Sequence, residues 1–77
     1  MDKEQLIEYM KELIIELKEN KISPKHLARE IMSIDGFFQV YFDYIMYNDD
    51  ISLDEYERYH STVFHYLNYA TLYGPGK

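Results

Sequence analysis

Leu6, Met10, Leu13 and Leu17 fall four, three and four residues apart, with Ile7 and Ile14 widening the same stripe. That is the spacing by which an α-helix buries one face against another element. The chain has 77 residues and no cysteine, so neither a disulfide framework nor a thiolate metal site can hold it together. Helix packing or self-association must do so instead. A chain of this length buries only about 60% of its unfolded surface, which leaves no apolar material for a second core. The expected fold is therefore all-α, a compact bundle of three to four short helices. Residues 1–73 would form a single helical domain and residues 74–77 a flexible C-terminal tail.

Local signals divide the chain into helices. Asp2 with Gln5 suits a first helix start, and Asn20 can take the left-handed conformation that ends it. Ser23-Pro24 marks a second start, with the hydroxyl as cap and proline at the first helical position, and Leu27, Ala28, Ile31 and Met32 are expected to turn inward. Asp35-Gly36 interrupts that helix near Ile34. Residues 37–47 carry strand-forming aromatic and β-branched side chains. A lone strand would have no partner for its backbone groups, so the stretch is read as a helix, apolar on nearly every face and central or at a subunit interface. Ser52-Leu53-Asp54-Glu55 is a capping box opening a last helix, with Ile51 able to staple onto Tyr56 and Tyr56, His60, Val63, Leu67 and Ala70 in one stripe. Gly74-Pro75-Gly76 would end it.

Charge separates the chain into two parts. Asp2, Glu4, Glu8, Glu12, Glu16 and Glu19 are balanced by Lys3, Lys11, Lys18, Lys21, Lys25 and Arg29. Beyond them, Glu30, Asp35, Asp43, Asp49, Asp50, Asp54, Glu55 and Glu57 face only Arg58 and Lys77, for a net charge of −6. Of nine tyrosines and four phenylalanines, only Tyr9 lies outside residues 37–73. A phosphate-binding surface needs clustered Lys and Arg, so direct nucleic-acid binding is not expected. Ser23 to Ile31 has the flavour of the first helix of a helix-turn-helix. The element after it, however, is aromatic with Asp43 as its sole charge, unlike a groove-reading helix. No basic and apolar leader and no long apolar run is visible, which makes a cytoplasmic location without membrane contact the expectation.

Catalytic chemistry finds no foothold. There is no nucleophile elbow or Gly-rich phosphate loop, and His60 and Ser61, as helix neighbours, point about 100° apart. The chain is read as a non-enzyme without a cofactor. Glu57 and His60 have the Glu-x-x-His spacing of a di-iron bundle helix, but no second such pair exists. His60 is better explained as a partly buried side chain hydrogen-bonded to a neighbour, and His26 as a surface partner of Glu30. Asn48-Asp49-Asp50 with Asp54 and Glu55 lacks the alternation and glycine of a calcium loop. Acidic residues at a helix start explain Asp54 and Glu55 more simply.

Tyr59, Tyr66 and Tyr73 recur every seven residues, with Tyr69 on the same face, offset from the core stripe. Tyrosine joins a large apolar ring to a polar tip, which suits protein interfaces, although in a small domain the same rings could complete the core. The sequence therefore reads as a small acidic non-catalytic protein-binding module, an adaptor, regulator or inhibitor. Asp49, Asp50 and Asp54 would steer a basic partner, in one version by occupying its nucleic-acid-binding surface, and Tyr59, Tyr66, Tyr69 and Tyr73 would provide contact area. The competing readings are a structural homodimer and a small metal or ligand carrier.

Overall fold

Each helix of the protein begins where a side chain or a glycine prepares it. The computed structural model describes the backbone of residues 2–73 and the side chains of residues 2–70. Helix α1 spans Lys3–Lys18, α2 spans Pro24–Ser33 and α3 spans Phe37–Tyr47. Leu53–Glu55, a π turn at Tyr56–His60 and Ser61–Tyr73 then follow without a break and form one helix, α4. The fold is an all-α bundle, with no strand among the described residues. The expected tail, 74–77, and the proposed stop at Gly74 lie outside the described residues.

Capping is local chemistry, and it lies where the sequence places it. Asp2 and Gln5 form a reciprocal capping box, with the Gln5 N–H 2.8 Å from the Asp2 carboxylate and the Asp2 N–H 3.0 Å from Gln5 Oε1. Asn20 takes φ 62, and the Lys21 and Asn20 N–H groups return to the Glu16 and Leu17 carbonyls at 2.9 and 3.1 Å, a Schellman ending. Ser23 accepts from the His26 N–H at 3.1 Å, ahead of Pro24. Gly36 takes φ 82, a conformation that strains other residues, and the chain turns there from α2 into α3.

The last start is only half of the predicted capping box. Ser52 Oγ accepts from the Glu55 N–H at 3.1 Å, but the Glu55 carboxylate bonds Lys18 Nζ of α1 at 2.7 Å instead of turning back to Ser52. Ser52→Ala is expected to cost about 1 kcal/mol, read as a lower urea midpoint with an unchanged slope. An unmoved midpoint would show that the Ser52 cap does not stabilise the fold.

One core joins all four helices. The buried apolar residues are Leu6, Met10, Leu13, Ile14 and Leu17 of α1, Leu27, Ala28 and Ile31 of α2, Phe37, Tyr41 and Ile45 of α3, and Val63 and Leu67 of α4. Helix α1, the conventional amphipathic one, contributes five of these residues, more than any other helix. Helix α3 is not buried all round: Phe38, Met46 and Tyr47 face outward while Phe37, Tyr41 and Ile45 face in. In α2, Met32 is also exposed, at 36%, because Leu27, Ala28 and Ile31 already fill the inward arc. Tyr9 stacks on Phe37 at 5.7 Å. The start of α1 lies beside the end of α3, so these two helices run antiparallel.

Candidate functional site

The antiparallel pairing of α1 and α3 creates a shallow groove of about 580 Å³. On α1, Lys3, Ile7 and Met10 follow one face at helical spacing, and on α3, Val40, Asp43, Tyr44 and Tyr47 do the same. The loop after α3 closes one end with Asn48, Asp49 and Asp50. The floor is apolar, from Ile7, the buried Met10, Val40 and the Tyr44 ring, and Tyr47 stands 78% exposed beside it. The rim is anionic. Among the described residues, Asp43, Asp49 and Asp50 form no ion pair, and Asp43 only accepts from Gln39 Nε2 at 2.8 Å.

The structure divides the sequence-predicted acidic cluster. Asp49 and Asp50 lie at the groove, exposed, in a loop pinned by the Asp50 N–H donating to Asn48 Oδ1 at 2.9 Å. Asp54 lies instead on the first turn of α4, where Arg58 Nη2 approaches it at 3.2 Å. The tyrosine face is also divided. Tyr59 and Tyr66 are partly buried and pack against the core, whereas Tyr69 is 47% exposed. The side chain of Tyr73 lies outside the described residues.

His60 is wholly buried, where a partly buried side chain had been expected. The π turn at Tyr56–His60 brings the Ser61 N–H to the Tyr56 carbonyl, and the Ser61 hydroxyl donates to the Glu57 carbonyl at 2.8 Å. His60 Nδ1 lies 2.8 Å from the Tyr41 hydroxyl, and Nε2 faces Glu55 Oε2 at 3.7 Å without a hydrogen-bond partner. The carboxylate on the Nε2 side favours the tautomer protonated there, so the Tyr41 hydroxyl donates to Nδ1. Burial holds His60 below the usual imidazole range, opposed by the Glu55 carboxylate. Burial likewise pushes the Tyr41 phenol up, which keeps it a hydrogen-bond donor. Tyr41, His60, Glu55 and Lys18 thus form a polar chain across α3, α4 and α1.

The inner members of this polar chain, Tyr41 and His60, are both 0% exposed, while Glu55 and Lys18 at the outer end keep part of their side chains in solvent. Glu57, the other half of the Glu-x-x-His spacing, is exposed, whereas His60 is wholly buried. Among the described residues, no three His, Asp or Glu side chains converge as a metal site. His26 does pair with Glu30, at 3.7 Å, and the Tyr9 hydroxyl also donates to Glu30 at 3.0 Å.

Fold and surface together define a four-helix all-α protein with an acid-rimmed apolar groove. In comparisons with known proteins, no family model matches the chain, and no curated protein or solved structure is detectably similar to it. Sequence reasoning missed Lys3, Ile7, Val40 and Asp43 at the groove, and the pairing of Tyr41 with His60. The signal for the groove was available in part: Val40, Asp43, Tyr44 and Tyr47 share a face once residues 37–47 are placed on a helix. Among the described residues, no helix is long and apolar enough to cross a membrane.

Proposed function

We infer that this protein is a non-catalytic module that binds another protein bearing a basic surface, as a regulator, adaptor or inhibitor. One observation carries the reading. Of the large apolar side chains exposed among the described residues, Met32, Phe38, Met46, Tyr47, Leu53 and Tyr69 lie in the acidic part of the chain, and only Ile15 lies before it. Exposed apolar area set among carboxylates suits a partner of opposite charge: the carboxylates raise the encounter rate and the apolar side chains supply contact. Asp49, Asp50 and Asp54 serve the first role. Tyr69, with the partly exposed Tyr59 and Tyr66, serves the second.

The test is affinity capture from a cell lysate at low and high salt, followed by binding kinetics with the captured protein. Changing Asp49, Asp50 and Asp54 together to Asn is expected to leave the helical circular dichroism unchanged and to slow association several-fold at low salt. The difference should shrink as ions screen the carboxylates, whose reach is about 10 Å at 0.1 M salt. Capture of nothing, or association rates that ignore both the substitutions and the salt, would overturn the reading. A mass of twice the monomer by light scattering would favour self-association as the use of the same apolar surface.

A further inference from the structure

We propose that the groove between α1 and α3 is the docking site for a short, basic, amphipathic helix of the partner protein, an inference that rests on the protein-binding reading above. Three features of the groove select this occupant. The first is its shape. Lys3, Ile7 and Met10 form one ridge and Val40, Tyr44 and Tyr47 another, on antiparallel helices. The hollow between two such ridges receives the side-chain ridge of a third helix. From Lys3 to Met10 and from Val40 to Tyr47 each ridge rises about 10 Å, so two turns of a partner helix would be in contact.

The second feature is chemical order across the groove. Ile7, Met10, Val40 and the Tyr44 ring give the hollow its apolar lining, Asp43 lies among them on α3, and the exposed Asp49 and Asp50 add carboxylates from the loop after it. A helix with leucine-like side chains on one face and lysine or arginine flanking them matches both layers at once. The third feature is the charge itself. Those carboxylates have no cationic partner among the described residues, and Lys3 is the sole cation lining the groove. A partner cation therefore finds each carboxylate unpaired. The same charge repels the phosphates of nucleic acid, and with a net charge of −6 it also works against a second copy of this chain.

The probe is a synthetic leucine–lysine peptide of helical period, about five turns long, with a glutamine-for-lysine version of the same apolar pattern as control. Amide shifts of the labelled protein on titration with the lysine peptide are expected at Ile7, Val40, Tyr44, Tyr47, Asp49 and Asp50. Affinity from peptide anisotropy should fall roughly tenfold at low salt for the combined Asp43→Asn, Asp49→Asn and Asp50→Asn variant, and less at high salt. Tyr47→Ala should also weaken binding, and because Tyr47 is largely exposed the variant keeps its fold. Shifts confined to α4 around Tyr69 would overturn the groove while leaving the protein-binding reading in place. Absence of binding, or equal affinity for the glutamine peptide, would overturn the groove as well, and so would concentration-dependent dimerisation that moves these same amides without peptide. Failure of the broader reading has a separate sign, an empty capture from lysate.

Discussion

Tyr41→Ala is expected to cost about 3–5 kcal/mol, the range for removing a large buried ring, and in a domain this small to leave little or no folded protein at 37 °C. Tyr41 is 0% exposed and lies against two other rings, Phe64 at 5.4 Å and the His60 imidazole at 5.8 Å, and Phe64 in turn packs on Tyr56 at 6.0 Å. Truncation leaves a cavity where α3 meets α4 and also strips His60 Nδ1 of its hydrogen bond at 2.8 Å. The two losses separate with Tyr41→Phe, which keeps the ring and removes only the hydroxyl. That variant should cost about 1–3 kcal/mol, the penalty for a buried acceptor left without a donor. Urea unfolding of both variants provides the measurement. A Tyr41→Phe protein as stable as the wild type would mean that the Tyr41–His60 bond contributes nothing, and a mild Tyr41→Ala would mean that the aromatic cluster repacks around the gap.

Elements whose causes are local were legible in the sequence. Asp2 with Gln5, Asn20, Ser23 with Pro24, and Ser52 each act on backbone groups within a few residues, so their spacing alone predicts where helices begin and end. Glu55 shows where such reasoning stops. Three residues after Ser52 it could close a capping box, yet Lys18 of α1 offers a full charge at 2.7 Å, and a charge-assisted bond outcompetes a return to the backbone. Only the packing of α1 beside α4 makes that alternative available.

The aromatic stretch illustrates a related limit. Its composition argued for a helix apolar on nearly every face, central or at a subunit interface, and within this chain three inward residues, Phe37, Tyr41 and Ile45, already fill the space that α1, α2 and α4 leave open. The remaining apolar side chains had nowhere to go but outward, which places Phe38, Met46 and Tyr47 on the surface. The groove follows from the same arrangement. Asp49 and Asp50 stood out as an acidic loop, but Lys3 and Ile7, some forty residues earlier in the chain, join them only because α1 and α3 run antiparallel. Their partnership is a property of helix orientation, which no local spacing encodes.

Acidification is expected to weaken the fold through His60, and the sign follows from its surroundings. The groups facing the imidazole are the Tyr41 hydroxyl from α3, the Glu55 carboxylate on its own helix and Lys18 from α1, which the Glu55 carboxylate holds at 2.7 Å. Burial is the largest influence and holds the folded-state pKa below that of the unfolded chain. Glu55 opposes that shift and Lys18 adds to it. The unfolded chain therefore binds a proton near pH 6.5 that the folded protein refuses. The stability contributed by a neutral His60 is complete above that pH and is lost as pH falls toward the folded-state pKa, with a slope of up to about 1.4 kcal/mol per pH unit. Urea midpoints between pH 8 and pH 5 should show the decline. A double variant, Tyr41→Phe with His60→Leu, removes both polar groups together, leaves neither partner unsatisfied, and should show a flatter profile over the same range. Wild type and double variant declining in parallel would show that the acid sensitivity does not come from His60. A wild-type profile rising toward pH 5 would mean that Glu55 outweighs burial and captures the protonated imidazole as a buried ion pair.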